Sequence, residues 1–306
     1  MTAVTRTRHY SLVDFESRES YTVANTGPAN SRRCVMRRAR FRMIWVLAAL
    51  CLVALSRTPG QEPNLTEEQI KQFLSNAEIT GSKNTPRGVT APWRLTLSDG
   101  KLTHDAAFQS VDESRMKAQL SDGTTELQFR DSYHFNIAAF ELAKLLGLSD
   151  MIPVTIERRW QTHRGSLSWW VPVKMDEAMR QKGNIQPPDL DAWNKQLDRM
   201  WVFSELVYDT DRNMTNILIT EDWKMWMIDF SRAFRLSHNL LEPKHLTMCD
   251  RQLLGALRQL QEADVLEKTK PHLGKSEVKA VMARRDKIVA FFDKAIAEKG
   301  EAAVLY

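Results

Sequence analysis

Three side chains with oxygen donors cluster in one short stretch of the sequence. Asp211 and Asn216 precede the apolar run 217–219, and Asp229 directly follows the apolar run 225–228. Short apolar runs bounded by turn residues predict two paired strands, with Asn216 just before the first strand and Asp229 at the end of the second. Mg²⁺ prefers oxygen ligands, usually one or two carboxylates together with substrate phosphates. The stretch therefore predicts a metal–phosphate site, and the alternative is a polar turn with incidental acids.

The elements around this stretch indicate a small β-rich part followed by a larger helical part. Thr66 and Gln69 have the spacing of a capping box and predict a helix that opens the body. Strand patterns follow, interrupted by one helix that covers about 131–147, and helical periodicity then dominates to the end of the chain. The strand patterns lie at 91–97, 102–111, 154–160 and 166–173.

Two segments between these elements carry no clear periodicity. Residues 80–88 predict a turn-rich loop, and the residues after 111 predict a polar link. Gly81 and Gly88, with two cations nearby, make the loop a candidate for binding phosphate, while a plain surface loop is the alternative.

The site stretch resembles the catalytic core of the protein-kinase-like superfamily. Asp211-Arg212-Asn213, Asn216 and the segment Ile228-Asp229-Phe230 match a catalytic loop that reads D-R-H-x-x-N and the metal segment that follows a hairpin. The likeness is strongest to the phosphatidylinositol 3-/4-kinases and to atypical secretory-pathway kinases of the Golgi casein kinase type.

A second likeness lies in "NIAAFELAKLLGLSDMIPVTIERR", which is similar to the E-I-A-A-F-x-L-D helix and following strand of the secretory kinases. The resemblance covers about residues 80–300. It implies an α+β, bilobal protein-kinase-like fold, with a β-rich N-lobe over 61–175 that holds one main helix and a helical C-lobe over 176–306.

The resemblance also implies a role for each residue of the core. Asp211 would orient or deprotonate the attacking hydroxyl, and Asn216 and Asp229 would hold Mg²⁺ (or Mn²⁺) on the phosphates of ATP. Arg212 would fix the catalytic loop by contacting Asp209 or Asp229. Residue 213 is Asn where the family usually has His, which weakens this part of the match.

The sequence departs from kinases at the ion pair that binds phosphate. The strand position usually held by Lys is Gln109, and the helix position usually held by Glu is Asn136. These two amides can hydrogen-bond each other, but an amide does not neutralise phosphate charge. Either Lys83, Arg87 or Lys117 supplies the cation, or activity is weak or absent.

The predicted nucleotide contacts are Lys83, Gly88, Gln109, Lys117 and Asn136. A shifted alignment is an alternative, because Glu126 and Arg130 lie nearby in the sequence.

These observations favour a Mg²⁺–nucleotide-dependent phosphotransferase that acts on a hydroxyl acceptor, with protein favoured over lipid. A lipid or small-molecule kinase that acts at a membrane is a further hypothesis. The alternative is an exported pseudokinase that serves as a nucleotide-binding or scaffolding module.

Charge is concentrated at the start of the chain. Residues 1–56 hold nine basic and three acidic residues, which leaves 34 basic and 35 acidic residues of the chain's 43 and 38 for the body. The body is near neutral, so we expect no nucleic-acid partner.

The N-terminal segment has the design of a leader. Residues 43–55 are uncharged and mostly apolar, they follow an arginine-rich run, and they are shorter than a typical membrane span. We expect a signal peptide or signal anchor over 36–60, preceded by a disordered or wrongly assigned start at 1–35. The protein would then be exported, periplasmic or extracellular, or anchored to a membrane by this segment alone.

Cysteine and histidine give no metal-site signal in the sequence. Cys34 and Cys51 lie in the leader, and the single remaining Cys249 excludes a disulfide framework within the body. The histidines lack metal-ligand spacing, so structural or surface roles are expected for them. They include His104, His134, His163, His238 and His245.

Overall fold

The computed structural model describes residues 65–85, 92–119, 123 and 125–306. All of these described residues belong to one compact unit. The predictions for 1–35, 36–60 and 43–55 lie outside the described residues. Among the helices that are described, none is long and apolar enough to cross a membrane.

Helix α1 begins where the capping box predicts it. It covers Glu67–Asn76. The Thr66 hydroxyl accepts a hydrogen bond from the Gln69 amide at 3.2 Å, and the Gln69 side chain accepts one from the Thr66 amide at 2.9 Å. Two backbone donors that a helix start leaves unpaired are thereby satisfied, and this prediction is confirmed.

A five-stranded antiparallel sheet dominates the N-terminal part. Its strands stand in the order β1-β2-β3-β7-β6, and the predicted hairpin is the pair β2–β3. The bounds are β1 Glu78–Asn84, β2 Trp93–Ser98, β3 Thr103–Gln109, β6 Thr155–Trp160 and β7 His163–Trp169.

Both segments without periodicity contain strands, which corrects the prediction of a loop and a link. The first half of the predicted loop belongs to β1, whose Gly81 and Lys83 stand opposite Thr96 and Arg94 of β2. The polar link is a hairpin of β4 (Asp112–Gln119) and β5 (Thr125–Ser132). Most side chains of β4 are exposed, so no alternation of apolar and polar residues was available to reveal it.

Helix α2 links the sheet to the helical part. It covers His134–Leu145, and most of its residues are buried, which fits its nearly continuous apolar sequence. Its buried residues join the large apolar core of the helical part rather than the core of the sheet.

The helical part also holds a short sheet, in the order β10-β9-β8. The remaining elements are β8 Met175–Asp176, α3 Glu177–Lys182, α4 Leu190–Val207, β9 Ile217–Ile219, β10 Met225–Met227, α5 Arg251–Gln259, α6 Glu262–Thr269 and α7 Lys275–Lys299, with 3₁₀ turns at Met214–Asn216, Pro243–His245 and Glu301–Ala303.

Two apolar cores support this arrangement. The smaller core packs α1 against the five-stranded sheet through Phe73, Leu95 and Phe108. The larger core is built by α2 together with the helices and hairpin that follow residue 190. The α+β class, with a β-rich N-terminal part and a helical C-terminal part, is confirmed.

Candidate nucleotide and metal site

A cavity of about 880 Å³ opens between the five-stranded sheet and the β9–β10 hairpin. Its wall on the side of the sheet includes Lys83 and Gln109, and α2 contributes Asn136. Asn216 and Asp229 lie in the opposite wall. The structure thus brings five of the residues predicted from the sequence to one cavity.

The β9–β10 hairpin places Asn216 beside Asp229. Ile217 pairs with Met227, and the Ile228 amide donates to the Asn216 carbonyl at 3.1 Å. Asn216 and Ile228 therefore close the open end of the hairpin, and Asp229 is the next residue along the chain. This is the pairing that the two apolar runs predict.

Asp211 lies behind Asn216 rather than in the cavity wall. The Asn216 side-chain amide donates to the Asp211 carbonyl at 3.0 Å. The Asp211 carboxylate accepts a hydrogen bond from the Asn213 side chain at 3.1 Å. These contacts fix the loop and leave the side-chain oxygen of Asn216 as its potential metal ligand.

Arg212 fixes the loop that joins Asp209 to Asn216. Its guanidinium contacts the Asp209 carboxylate at 2.5 Å, and both side chains are buried. It also donates to the carbonyls of Asn216 and Ile228 at 2.8 Å each. Burial raises the pKa of Asp209, and the adjacent guanidinium opposes that rise. Of the two acids that the sequence offers to Arg212, Asp209 is therefore the ion-pair partner.

Asp229 has the surroundings of a cation ligand. Its backbone is in the left-handed region, at φ 56°. Its Oδ1 atom is buried and has no hydrogen-bond partner among the described residues. An orphaned buried carboxylate oxygen is costly unless a cation satisfies it, so the residues present fit a divalent metal ion.

Asp131 is a second buried carboxylate that the sequence does not single out. It lies at the end of β5, where the Ser132 amide donates to the Ser231 carbonyl at 2.8 Å. Burial raises the pKa of Asp131, the Ser231 hydroxyl lowers it, and the charge of Asp229 raises it. Strand β5 of the β4–β5 hairpin carries Asp131 to the neighbourhood of Asp229. Because the sequence did not reveal this hairpin, it did not reveal that Asp131 lies there.

Gln109 and Asn136 pair as two neutral amides. The Asn136 side chain donates to Gln109 Oε1 at 2.6 Å and to the Ser166 hydroxyl at 3.2 Å. Its oxygen accepts from the Phe230 amide at 2.7 Å. Asn136 therefore connects the sheet to the segment that carries Asp229.

Among the described residues, three with cationic side chains line the cavity: Lys83, Arg94 and Lys182. Arg94 is paired with Asp105 at 2.5 Å and stacks on Trp170 with its guanidinium 4.4 Å from the ring centre. The other two are exposed lysines on β1 and α3.

One predicted nucleotide contact is described away from this cavity, and another is not described. Lys117 is exposed on β4 and does not belong to the wall, and Gly88 lies outside the described residues, as does Arg87. The nearby acid of the shifted alignment, Glu126, forms ion pairs with Arg232 and Arg235.

Comparisons with known proteins identify the fold. No protein-family profile and no curated protein matches the sequence. A structure of hydra Fam20 with sugar matches with a TM-score of 0.57 and 16% identity, over 78% of this chain and 91% of that chain. The Golgi casein kinase with Mn/ADP bound matches with a TM-score of 0.55 and 13% identity, over 78% of each chain.

A further Golgi casein kinase structure gives a TM-score of 0.54 at 14% identity, over 78% of this chain and 77% of that one. The chain therefore has the protein-kinase-like fold of these atypical secretory kinases. The resemblance inferred from the catalytic-loop motif is confirmed at the level of the fold.

Proposed function

We propose that this protein is a Mg²⁺–nucleotide-dependent phosphotransferase that transfers a phosphoryl group from ATP to a hydroxyl acceptor. The observation that carries the proposal is the meeting of Asn216 and Asp229 in one wall of a large cavity, with Asp211 hydrogen-bonded behind them. Kinase-like sites use an Asn and an Asp for the metal ion and a further Asp for the acceptor hydroxyl, and these three residues would supply that set.

Asn216 and Asp229 would supply the oxygen ligands for Mg²⁺ or Mn²⁺. The support is the buried, unpartnered Oδ1 of Asp229 and the restrained amide of Asn216, together with the Mn/ADP bound to a neighbour of the same fold. When bound, the ion would neutralise charge on the nucleotide phosphates.

Asp211 would act on the acceptor. The acceptor oxygen would form a bond to the terminal phosphorus, the bond to the nucleoside diphosphate would break, and the hydroxyl proton would pass to the Asp211 carboxylate. Arg212 would not touch the substrate. It would keep Asp211 in place through its buried ion pair with Asp209, because positioning provides most of the catalysis in phosphoryl transfer.

The walls of the cavity suit a nucleotide. Trp170 and Val171 line it where the chain leaves β7, and such apolar and aromatic walls suit a nucleobase. Lys83 and Lys182 are the cations proposed for the phosphates, since the position usually held by Lys is Gln109.

A hydroxyl on a protein is the proposed acceptor, ahead of lipid, on the likeness to secretory kinases. A sugar hydroxyl is worth testing beside it, because the hydra neighbour was solved with a sugar. We propose that the N-lobe covers 61–175 and the C-lobe 176–306, and that the leader at 36–60 exports the protein or anchors it.

A pseudokinase is the second candidate function. The neutral Gln109–Asn136 pair favours it, because the cavity lacks the usual paired lysine at this point. The chain would then bind nucleotide, or serve as a scaffold, without transferring phosphate.

A transfer assay separates the two functions. We expect wild-type protein incubated with Mg²⁺–ATP to gain the mass of a phosphoryl group, on itself or on an added acceptor, as measured by intact mass. Asp211→Asn should abolish the gain while nucleotide still binds. No gain for wild type with protein, sugar and lipid acceptors, despite nucleotide binding, would favour the pseudokinase.

A further inference from the structure

Three possible metal ligands meet away from the proposed nucleotide site. His134 begins α2, Glu157 lies in the middle of β6, and His272 lies between α6 and α7. One ligand atom from each lies within 4.8 Å of the other two. The two histidines approach most closely, with 2.9 Å between their Nδ1 atoms.

A single hydrogen bond joins the two histidine rings. Between two Nδ1 atoms, one ring must donate and the other must accept, and two protonated rings would repel each other. Burial lowers the pKa of His272, and the neighbouring His134 lowers it further. Imidazole binds metal ions in its neutral form.

The spacing of the two histidine rings is close to that in a tetrahedral zinc site. Zn–N bonds of about 2.0–2.1 Å place neighbouring ligand atoms about 3.3 Å apart, so the two rings need to separate by only a few tenths of an ångström. Two imidazoles and one carboxylate are a common donor set for Zn²⁺, which completes its coordination with water or a substrate.

Surrounding groups hold the His134 ring in place. It stacks on Tyr133 with 4.1 Å between ring centres, and its Nε2 atom lies 4.0 Å from the Asp112 carboxylate. A carboxylate that accepts a hydrogen bond from the second nitrogen is the usual support of a metal-binding histidine, and at 4.0 Å the Asp112 carboxylate lies just beyond that distance. Glu157 also contacts Arg164 at 3.2 Å, so a metal ion would share its carboxylate with that exposed arginine.

We propose that His134, Glu157 and His272 bind one Zn²⁺-class divalent ion, with a water molecule completing the coordination. The ion would join the start of α2 to β6 and to the segment between α6 and α7. Asn136 lies only two residues beyond His134, so the metal would stabilise the helix that contributes to the nucleotide cavity. This proposal does not depend on phosphotransferase activity.

Cobalt absorption gives a direct test. The full chain, without a polyhistidine tag and freed of metal by dialysis, is titrated with Co²⁺ in excess Mg²⁺. We expect one Co²⁺ per chain with the visible bands of a four-coordinate ion, and we expect Zn²⁺ to displace it. Absence of these bands in the wild type would overturn the proposal, whatever the variants do.

Variants assign the ligands. His134→Gln and His272→Gln should each remove the bands, while His238→Gln, which changes an exposed histidine outside the cluster, should keep them. Asp229→Ala should retain the bands, which separates this site from the proposed nucleotide site. Bands that survive in both cluster variants would contradict the assignment.

Discussion

The side-chain amide of Asn136 donates a hydrogen bond to Gln109 Oε1 at 2.6 Å, in the two positions where the resemblance to kinases implies an ion pair. The oxygen of the same side chain accepts a hydrogen bond from the Phe230 amide. The neutral pair therefore links the sheet, α2 and the segment that carries Asp229, as the ion pair of kinases would. It does not provide a positive charge for phosphate.

The two amides should show strong coupling when they are exchanged for the kinase pair. Asn136→Glu alone places a carboxylate in a buried position near Asp229, so we expect the free energy of unfolding to fall by about 3 kcal/mol or more. Adding Gln109→Lys should recover part of that loss.

Urea unfolding of both single variants and the double variant measures this coupling. We expect an interaction energy of about 1–3 kcal/mol. The size-matched neutral change Asn136→Gln is the control for volume. Strictly additive effects of the two changes would contradict direct contact between these positions.

Removing Arg212 should unfold the loop that it holds. Arg212→Met leaves the buried Asp209 carboxylate without its partner and frees the Asn216 and Ile228 carbonyls. We expect a loss of about 3–5 kcal/mol in the free energy of unfolding, measured by urea unfolding.

Arg199→Met is the control, because it removes a more exposed ion pair with Asp150. Loss of that ion pair should lower the free energy of unfolding by about 1 kcal/mol or less.

Adding Asp209→Asn to Arg212→Met should recover stability, because the uncompensated charge is then gone. Equal losses for Arg212→Met and Arg199→Met would refute the structural role given to the Asp209 pair.

Arg284 should be a major contributor to the stability of the helical part. Its side chain is completely buried in α7, and it donates to the carbonyls of Leu206 at 2.7 Å and Arg235 at 3.0 Å. Arg284→Met leaves these carbonyls without donors, and we expect a loss of about 3 kcal/mol or more. Lys279→Met, an exposed change in the same helix, should lie within about 0.5 kcal/mol of wild type. Thermal unfolding monitored by circular dichroism compares the two, and similar melting temperatures would contradict this assignment.

Cys249 should make stability depend on pH in the alkaline range. Burial raises the pKa of its thiol from 9.0 to about 12. The unfolded chain therefore loses this proton at lower pH than the folded chain does. The free energy of unfolding should fall as the pH rises above 9.0, by at most about 1.4 kcal/mol per pH unit from this group.

Comparison with Cys249→Ala isolates the effect, since all other titrating groups are shared. In a Cys34→Ser/Cys51→Ser chain, a thiol reagent should modify Cys249 only on unfolding. Rapid modification of the native protein would show that the thiol is accessible. Identical pH dependence of stability in the alanine variant would contradict a raised pKa of the thiol.

The sequence predicted the structure correctly where the hydrophobic pattern and the local capping and turn residues agree. The Thr66 capping box, the β2–β3 hairpin and the meeting of Asn216 with Asp229 all follow from contacts between residues close in the chain. The position of Asp131 near Asp229 and the approach of His134 to His272 depend on residues that are distant in sequence. No periodicity marks such contacts, because the tertiary fold alone creates them. The β4–β5 hairpin is local, but the mostly exposed side chains of β4 gave it no alternating pattern.

The kinase-like motif succeeded for a related reason. Asp211, Asn216 and Asp229 lie within one hairpin and its flanking loop, so their spacing encodes their geometry. The source of positive charge for phosphate is not encoded in this way. Lys83 reaches the cavity through the pairing of β1 with β2, and the sequence predicted a loop at that point.

Nucleotide binding tests the central claim most directly. Thermal unfolding of wild type is compared with and without Mg²⁺–ATP, alongside Asp229→Ala and the exposed control Asp222→Ala. We predict that Mg²⁺–ATP at concentrations far above its dissociation constant raises the melting temperature of wild type and of Asp222→Ala, and that Asp229→Ala loses this increase. An unchanged melting temperature of wild type at saturating Mg²⁺–ATP, or an undiminished increase in Asp229→Ala, would contradict the account.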